Sequence, residues 1–128
     1  RKMTFLKIFI FSITFTFLFG CWEKDITRSY YDTGELYIDA SINSGLLDGK
    51  STMYFKNGNV KGYSFYKNGI LNGVSMNFYK NGKPKSRARY SNGYLNGIST
   101  SWNISGKIDN EVCFNEGKII KVTKCKTN

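Results

Sequence analysis

Histidine is absent from the 128-residue chain, which removes the usual general base, the commonest zinc ligand and the ordinary near-neutral pH switch. Serine–histidine and cysteine–histidine catalysis are excluded with it. The three cysteines show no CxxC spacing and have no histidine to complete a ligand set, so neither redox catalysis nor a metal site is expected. Proline occurs once against 13 glycines, and Tyr and Phe together supply 19 residues. That balance favours short strands joined by glycine turns over helices. No uncharged apolar run reaches the about 20 residues of a membrane-spanning helix. With 41% hydrophobic and 22% charged residues, the chain is too rich in core-formers for a disordered one and has the length of a single domain.

The longest such run, residues 8–20, follows Arg1, Lys2 and Lys7 and is mostly Ile, Phe, Leu and Thr. A basic start followed by a short apolar stretch is the layout of a secretory signal peptide. The run ends in Leu18-Phe19-Gly20-Cys21, which resembles the lipobox of bacterial lipoproteins, although Phe19 stands where that pattern prefers a smaller residue. The resemblance implies cleavage before Cys21, its acylation, and a protein exported to the cell envelope and lipid-anchored to a bacterial membrane. A plain signal peptide or uncleaved anchor with an incidental cysteine is the alternative. The expected organisation is a signal peptide over 1–20, an acylated N-terminus and tether over 21–29, and one repeat domain over 30–128. Cys113 and Cys125 then form an even pair in a compartment where disulfides persist. Simple hairpin register places Cys125 several residues beyond the partner of Cys113, so a disulfide requires the tail to curl back. A bridge and two unbridged thiols both stay open.

From Arg28 onward the chain repeats every 24 residues: Gly34, Gly58, Gly82 and Gly106 form one series, and Gly45, Gly69, Gly93 and Gly117 a second. A third follows at Gly49, Gly73 and Gly97. Self-similarity at this period signals a repeat architecture. Each unit holds two turn signals separating two short runs rich in aromatic and β-branched residues, so each 24-mer is expected to be a β-hairpin. The resulting fold class is all-β: a single-layer antiparallel meander of about seven or eight strands, each about five to six residues long. Because 24 is even, alternation puts equivalent residues of every repeat on one side. Even positions, among them Ala40, Val74, Met76, Phe78, Ala88, Ile98 and Trp102, read as an inner face. Odd positions such as Ser51, Ser75, Ser99, Ser101, Lys61, Lys85, Arg87, Arg89, Asp109 and Glu111 read as a solvated one. Leu47, Leu71, Leu95 and Ile119 break that parity inside the longer turns and are expected to be bulge residues swung inward.

The phrases Tyr54-Phe55-Lys56-Asn57-Gly58 and Phe78-Tyr79-Lys80-Asn81-Gly82, each followed by Asn-Gly-x-Leu-x-Gly, resemble MORN repeats. They look closest to the variant common in bacterial proteins described as antitoxin components of toxin–antitoxin systems. The resemblance runs from Tyr30 to the region of Lys121. It implies the hairpin-repeat fold and a scaffold that binds membranes or proteins, and it supplies no catalytic motif and no cofactor. Asn103 and Lys121 depart from the pattern in the last repeat, as a terminal cap would.

Charge is unevenly spread. Residues 21–48 carry six acids and two bases, whereas residues 49–108 carry ten bases and no acid. The central repeats form a cationic ribbon on which Lys61, Tyr63, Phe65, Lys85, Arg87 and Arg89 are the candidate binding residues for an anion or partner, and such a surface attracts polyanions. Interleaved aromatics also suit single-stranded nucleic acid, but export argues against that partner and favours a protein or an anionic envelope polymer. Two blander readings stand beside this one: a merely solvated charged face, and Arg87 and Arg89 reaching across Ser99 and Ser101 to Asp109 and Glu111 to stitch the sheet. Asp109 and Glu111 are the one pair of neighbouring same-face carboxylates, and nothing beside them organises an active site; no enzyme is expected. A binding scaffold is the preferred function. An antitoxin-like or immunity protein that neutralises one toxic protein is the alternative implied by the resemblance.

Overall fold

A computed structural model describes residues 24–125. The expected signal segment and Cys21 lie outside the described residues. The chain runs through ten strands: β1 Asp25–Tyr30, β2 Leu36–Asn43, β3 Leu46–Tyr54, β4 Val60–Lys67, β5 Ile70–Phe78, β6 Pro84–Ser91, β7 Tyr94–Leu95, β8 Gly97–Trp102, β9 Ile108–Asn115 and β10 Lys118–Ile120. A 3₁₀ turn at Val122–Lys124 follows. All strands join one antiparallel sheet in chain order, with β7 and β8 both pairing β6 as two pieces of a strand interrupted at Asn96. The meander is as expected, with more strands and several of eight or nine residues. The sheet also starts earlier: residues assigned to a tether form β1, whose Asp25 pairs with Ile42.

Two kinds of turn alternate. At one edge, Ser44-Gly45, Asn68-Gly69, Asn92-Gly93 and Glu116-Gly117 all have positive φ at both residues, the two-residue type I′ loop whose twist matches that of the flanking strands. These turns are stitched to one another, since Gly69 N–H donates to Leu47 C=O at 2.7 Å, Gly93 to Leu71 at 2.8 Å and Gly117 to Leu95 at 2.8 Å. At the other edge Phe55 N–H donates to Asn59 C=O and Gly58 N–H to Phe55 C=O, both at 2.8 Å, with Gly58 at φ 85°. That is a three-residue loop closed by a left-handed glycine and a bulge. The Tyr31 hydroxyl donates to Tyr54 C=O at 2.8 Å and the Tyr79 hydroxyl to Trp102 C=O at 2.7 Å, so these loops are also tied to the next repeat.

The register corrects the expected division of faces. A two-residue loop pairs residue i with i+3, as in Asn43 with Leu46, Lys67 with Ile70 and Ser91 with Tyr94, so even positions oppose odd ones across every such hairpin. Directly opposed residues share a face. One row therefore reads Ala40, Ser51, Ser64, Ser75, Ala88, and the next, on the opposite face, reads Asp39, Thr52, Tyr63, Met76, Arg87, Thr100, Glu111. The small-residue face is tied by a 2.8 Å hydrogen bond between the Ser64 and Ser75 hydroxyls and one of 3.1 Å from the Asn77 amide to Ser86. Burial is sparse, as a single layer requires. Among the described residues the buried side chains are Ala40, Ser51, Thr52, Thr100 and Cys113. Stability thus comes from ladder hydrogen bonds and cross-strand neighbours, such as Ile42 with Leu47 and Tyr66 with Leu71, rather than from a two-layer core. Leu47, Leu71, Leu95 and Ile119, expected as bulge residues inside longer turns, are instead paired strand residues, because each turn ends after two residues; the three leucines sit half-buried, and Ile119 at the end of the series is 73% exposed.

Candidate functional site: a cationic and aromatic sheet face

The face opposite the serine stripe combines what the sequence reading had separated. Tyr63 on β4 opposes Thr52 on one side and Met76 on the other, and Met76 opposes Arg87 on β6. Phe65, two residues along β4, opposes Lys50, and Arg89 opposes Val74. Strand alternation adds Lys61 and Lys85 to the same side. All six candidate residues therefore come together on one face, but so do Val74, Met76, Phe78 and Trp102, which had been expected on the other.

Aromatic rings are packed into this face. The Tyr63 ring lies 6.0 Å from Phe65 in an edge-to-face arrangement and 6.2 Å from Phe78. Lys50 Nζ lies 4.6 Å from the Tyr63 ring centre, an attraction of about 0.5–1 kcal/mol at exposed sites. Lys50 was not among the predicted site residues; the signal for it was the odd pairing sum of the Ser44-Gly45 hairpin. Lys61 and Lys85 each stand over a ring at the loop edge, 6.0 Å from Phe55 and 5.6 Å from Tyr79. Their stems are ordered on aromatic surface while their charges face water.

The two arginines make no ion pair with a carboxylate among the described residues. The residue beyond Arg87 is Thr100, with Glu111 on the strand after it, and Ser99 and Ser101 open onto the opposite face. Arg87 and Arg89 consequently do not stitch the sheet to Asp109 and Glu111. Among the described residues the one ion pair joins Lys24 to Asp48 at 3.3 Å, at the acidic end of the molecule. There the Asp48 carboxylate also accepts the Asn68 N–H at 3.3 Å, and that hydrogen bond, followed by the one from Lys24, holds its pKa below the ordinary 3.8. On the same acidic end of the cationic face, Tyr54 donates to Asp39 at 3.2 Å. Burial first, and the Asp39 charge second, push the Tyr54 phenol above its usual value of 10.0.

Cys113 and Cys125 are bridged, with Cα atoms 5.8 Å apart. Hairpin register alone pairs Cys113 with Ile120, and the 3₁₀ turn at Val122–Lys124 folds the tail back so that Cys125 reaches it. The bridge closes the end of the sheet. Among the described residues no helix is long and apolar enough to cross a membrane.

Residues 47–68 and 71–92 match the family described as the MORN repeat variant. These spans run from Leu47 in β3 through β6, the stretch that carries all six candidate residues. No curated protein matches the chain.

Proposed function

We propose that this MORN-repeat chain is an exported, lipid-anchored binding scaffold whose cationic and aromatic face holds an acidic protein or an anionic envelope polymer. MORN repeats are generally binding or scaffold modules, and the reading adds which face binds. The observation that carries it is the coincidence on one side of β4 and β6 of Lys61, Lys85, Arg87 and Arg89 with the rings of Tyr63 and Phe65, and no acid between residues 49 and 108. Cations there attract a polyanion over distance. Exposed ring surface then gives a flat group of the ligand a plane to rest on. Tethering through Cys21 would present this face at a membrane, where phospholipid headgroups and wall polymer are the nearest anions.

Co-sedimentation of the soluble domain from residue 22 onward with vesicles containing phosphatidylglycerol, and with isolated wall polymer, tests the binding. Binding should weaken steeply as salt rises from 0.1 M to 1 M, because the screening length falls from about 10 Å to about 3 Å. The Arg87→Glu/Arg89→Glu double variant should lose most of the salt-sensitive part. Unchanged binding by that variant on both ligands would remove the proposal's basis. Metabolic labelling with a fatty-acid analogue tests the anchor separately: it should mark wild type and not Cys21→Ser, and equal labelling of both contradicts lipidation.

A further inference from the structure

The edge of type I′ turns is nearly regular, and its departure from regularity builds a concavity. Leu46, Ile70 and Tyr94 occupy the equivalent position in successive repeats, each packed against the glycine of the next turn. Aliphatic residues fill it twice and an aromatic ring the third time. The first turn residues run Ser44, Asn68, Asn92, Glu116, all at φ near 50°, so an acid appears just where the aromatic does. Tyr94, Glu116, Ser91, Asn92 and Asn96 line a half-open concavity of 510 Å³, within the range of small-molecule sites.

We infer that this concavity is a carbohydrate subsite for a neutral pyranose unit. Tyr94 lies against Gly117, where a Cβ would meet the ring at 3.4 Å, yet the side chain is 62% exposed. The ring is thus braced at its Cβ and Cδ1 side while most of it stays open, a platform for the C–H face of a sugar ring. Around it stand two carboxamides, a hydroxyl and a carboxylate. Asn offers paired donors and acceptors and Glu two acceptors, which suits adjacent sugar hydroxyls. These groups are available: in the first repeat the residue equivalent to Asn96, Asp48, is occupied by Lys24 and the Asn68 N–H, whereas the side chains of Asn92, Asn96 and Glu116 make no hydrogen bond to another described residue. Asn96 itself is fixed through its backbone, whose N–H donates to Arg89 C=O at 2.9 Å. No cation lines the concavity, so an anion is the wrong occupant and the ligand differs in class from that of the cationic face.

Saturation-transfer difference NMR on the soluble domain with maltose, lactose and N,N′-diacetylchitobiose tests this. Saturation should reach the ring protons of at least one sugar. Tyr94→Ile and Glu116→Asn install residues that the preceding repeat already carries at these positions, so both should keep the fold, which circular dichroism checks. Each should weaken binding about fivefold or more, the loss of roughly 1 kcal/mol of stacking or hydrogen bonding. Tyr94→Phe, which keeps the ring, should retain it, and Lys80→Glu/Lys83→Glu, in the loop at the opposite edge, should leave it unchanged. If Tyr94→Ile does not fold, Glu116→Asn decides. Absence of transfer to all three sugars, or undiminished transfer in a folded Tyr94→Ile or Glu116→Asn protein, overturns the subsite.

Discussion

Gly62 shows how tightly neighbouring strands approach in a sheet without a second layer. It is buried in β4, and a Cβ placed on it would lie 2.8 Å from Met76 C=O and 2.7 Å from the Asn77 carboxamide. Backbone cannot yield as a flexible side chain does, so Gly62→Ala should destabilise the domain by about 1–3 kcal/mol, the usual cost of overpacking. A urea unfolding midpoint unchanged from wild type would contradict that geometry. Asp48 gives a residue-scale prediction with a pH signature. Its folded pKa is lowered by the Asn68 N–H and Lys24. Its contribution is therefore present above the ordinary carboxylate pKa and is lost as pH falls through the folded value. Asp48→Asn should lower the urea midpoint at pH 6, and the gap from wild type should close at acid pH. A gap that persists or widens on acidification would mean the charge is not what matters there.

Among the elements, the C-terminal hairpin depends most on a covalent link. β10 pairs three residues with β9, and the Cys113–Cys125 bridge spans a sequence separation of 12. Closing a loop of this size stabilises by about 3 kcal/mol in the chain-entropy account. Cys125→Ser or reduction should lower stability by about that amount. Hydrogen exchange should quicken first in β9 and β10, because a repeat array couples mainly to nearest neighbours. Exchange that quickens uniformly from β1 onward would show the sheet unfolding as one unit instead. The repeat period and the place of each turn were legible in the sequence, but the turn type was not: the same Asn-Gly pair has positive φ at both residues in Asn68-Gly69 and at the glycine alone in Asn57-Gly58. Nor were the faces. Parity within a strand is local, but parity across a hairpin depends on loop length, and the two-residue loop at Asn68-Gly69 sends Ser64 to oppose Ser75 and Tyr63 to oppose Met76. The tail was illegible for a related reason: the ladder puts Ile120 opposite Cys113, and nothing in Val122–Lys124 announces a turn that reverses the chain.

At the scale of the whole molecule, the sheet is a ribbon with an acidic beginning and a cationic middle, and its two faces differ in chemistry more than in hydrophobicity. One carries a stripe of Ala and Ser beside a row of aliphatic and tyrosyl side chains, among them Ile42, Leu47, Tyr66 and Leu71; the other interleaves cations with rings. The six candidate residues could be grouped on one face from sequence because they lie on β4 and β6, which share parity. Their aromatic and aliphatic company on β3, β5 and β8 was missed because those strands have the opposite parity. The account's central claim is that the strand-borne arginines form a surface, beyond adding to net charge. The most direct measurement compares two charge-matched double variants of the same hairpin, Arg87→Glu/Arg89→Glu on the face and Lys80→Glu/Lys83→Glu in the adjoining loop, in binding phosphatidylglycerol vesicles and wall polymer at 0.1 M salt. Each changes the net charge equally and, lying at the surface, should shift stability by no more than about 0.5 kcal/mol per site. The face variant should lose most binding while the loop variant keeps most of it; equal losses in the two would mean that the anion reads net charge alone and that the face is only solvated.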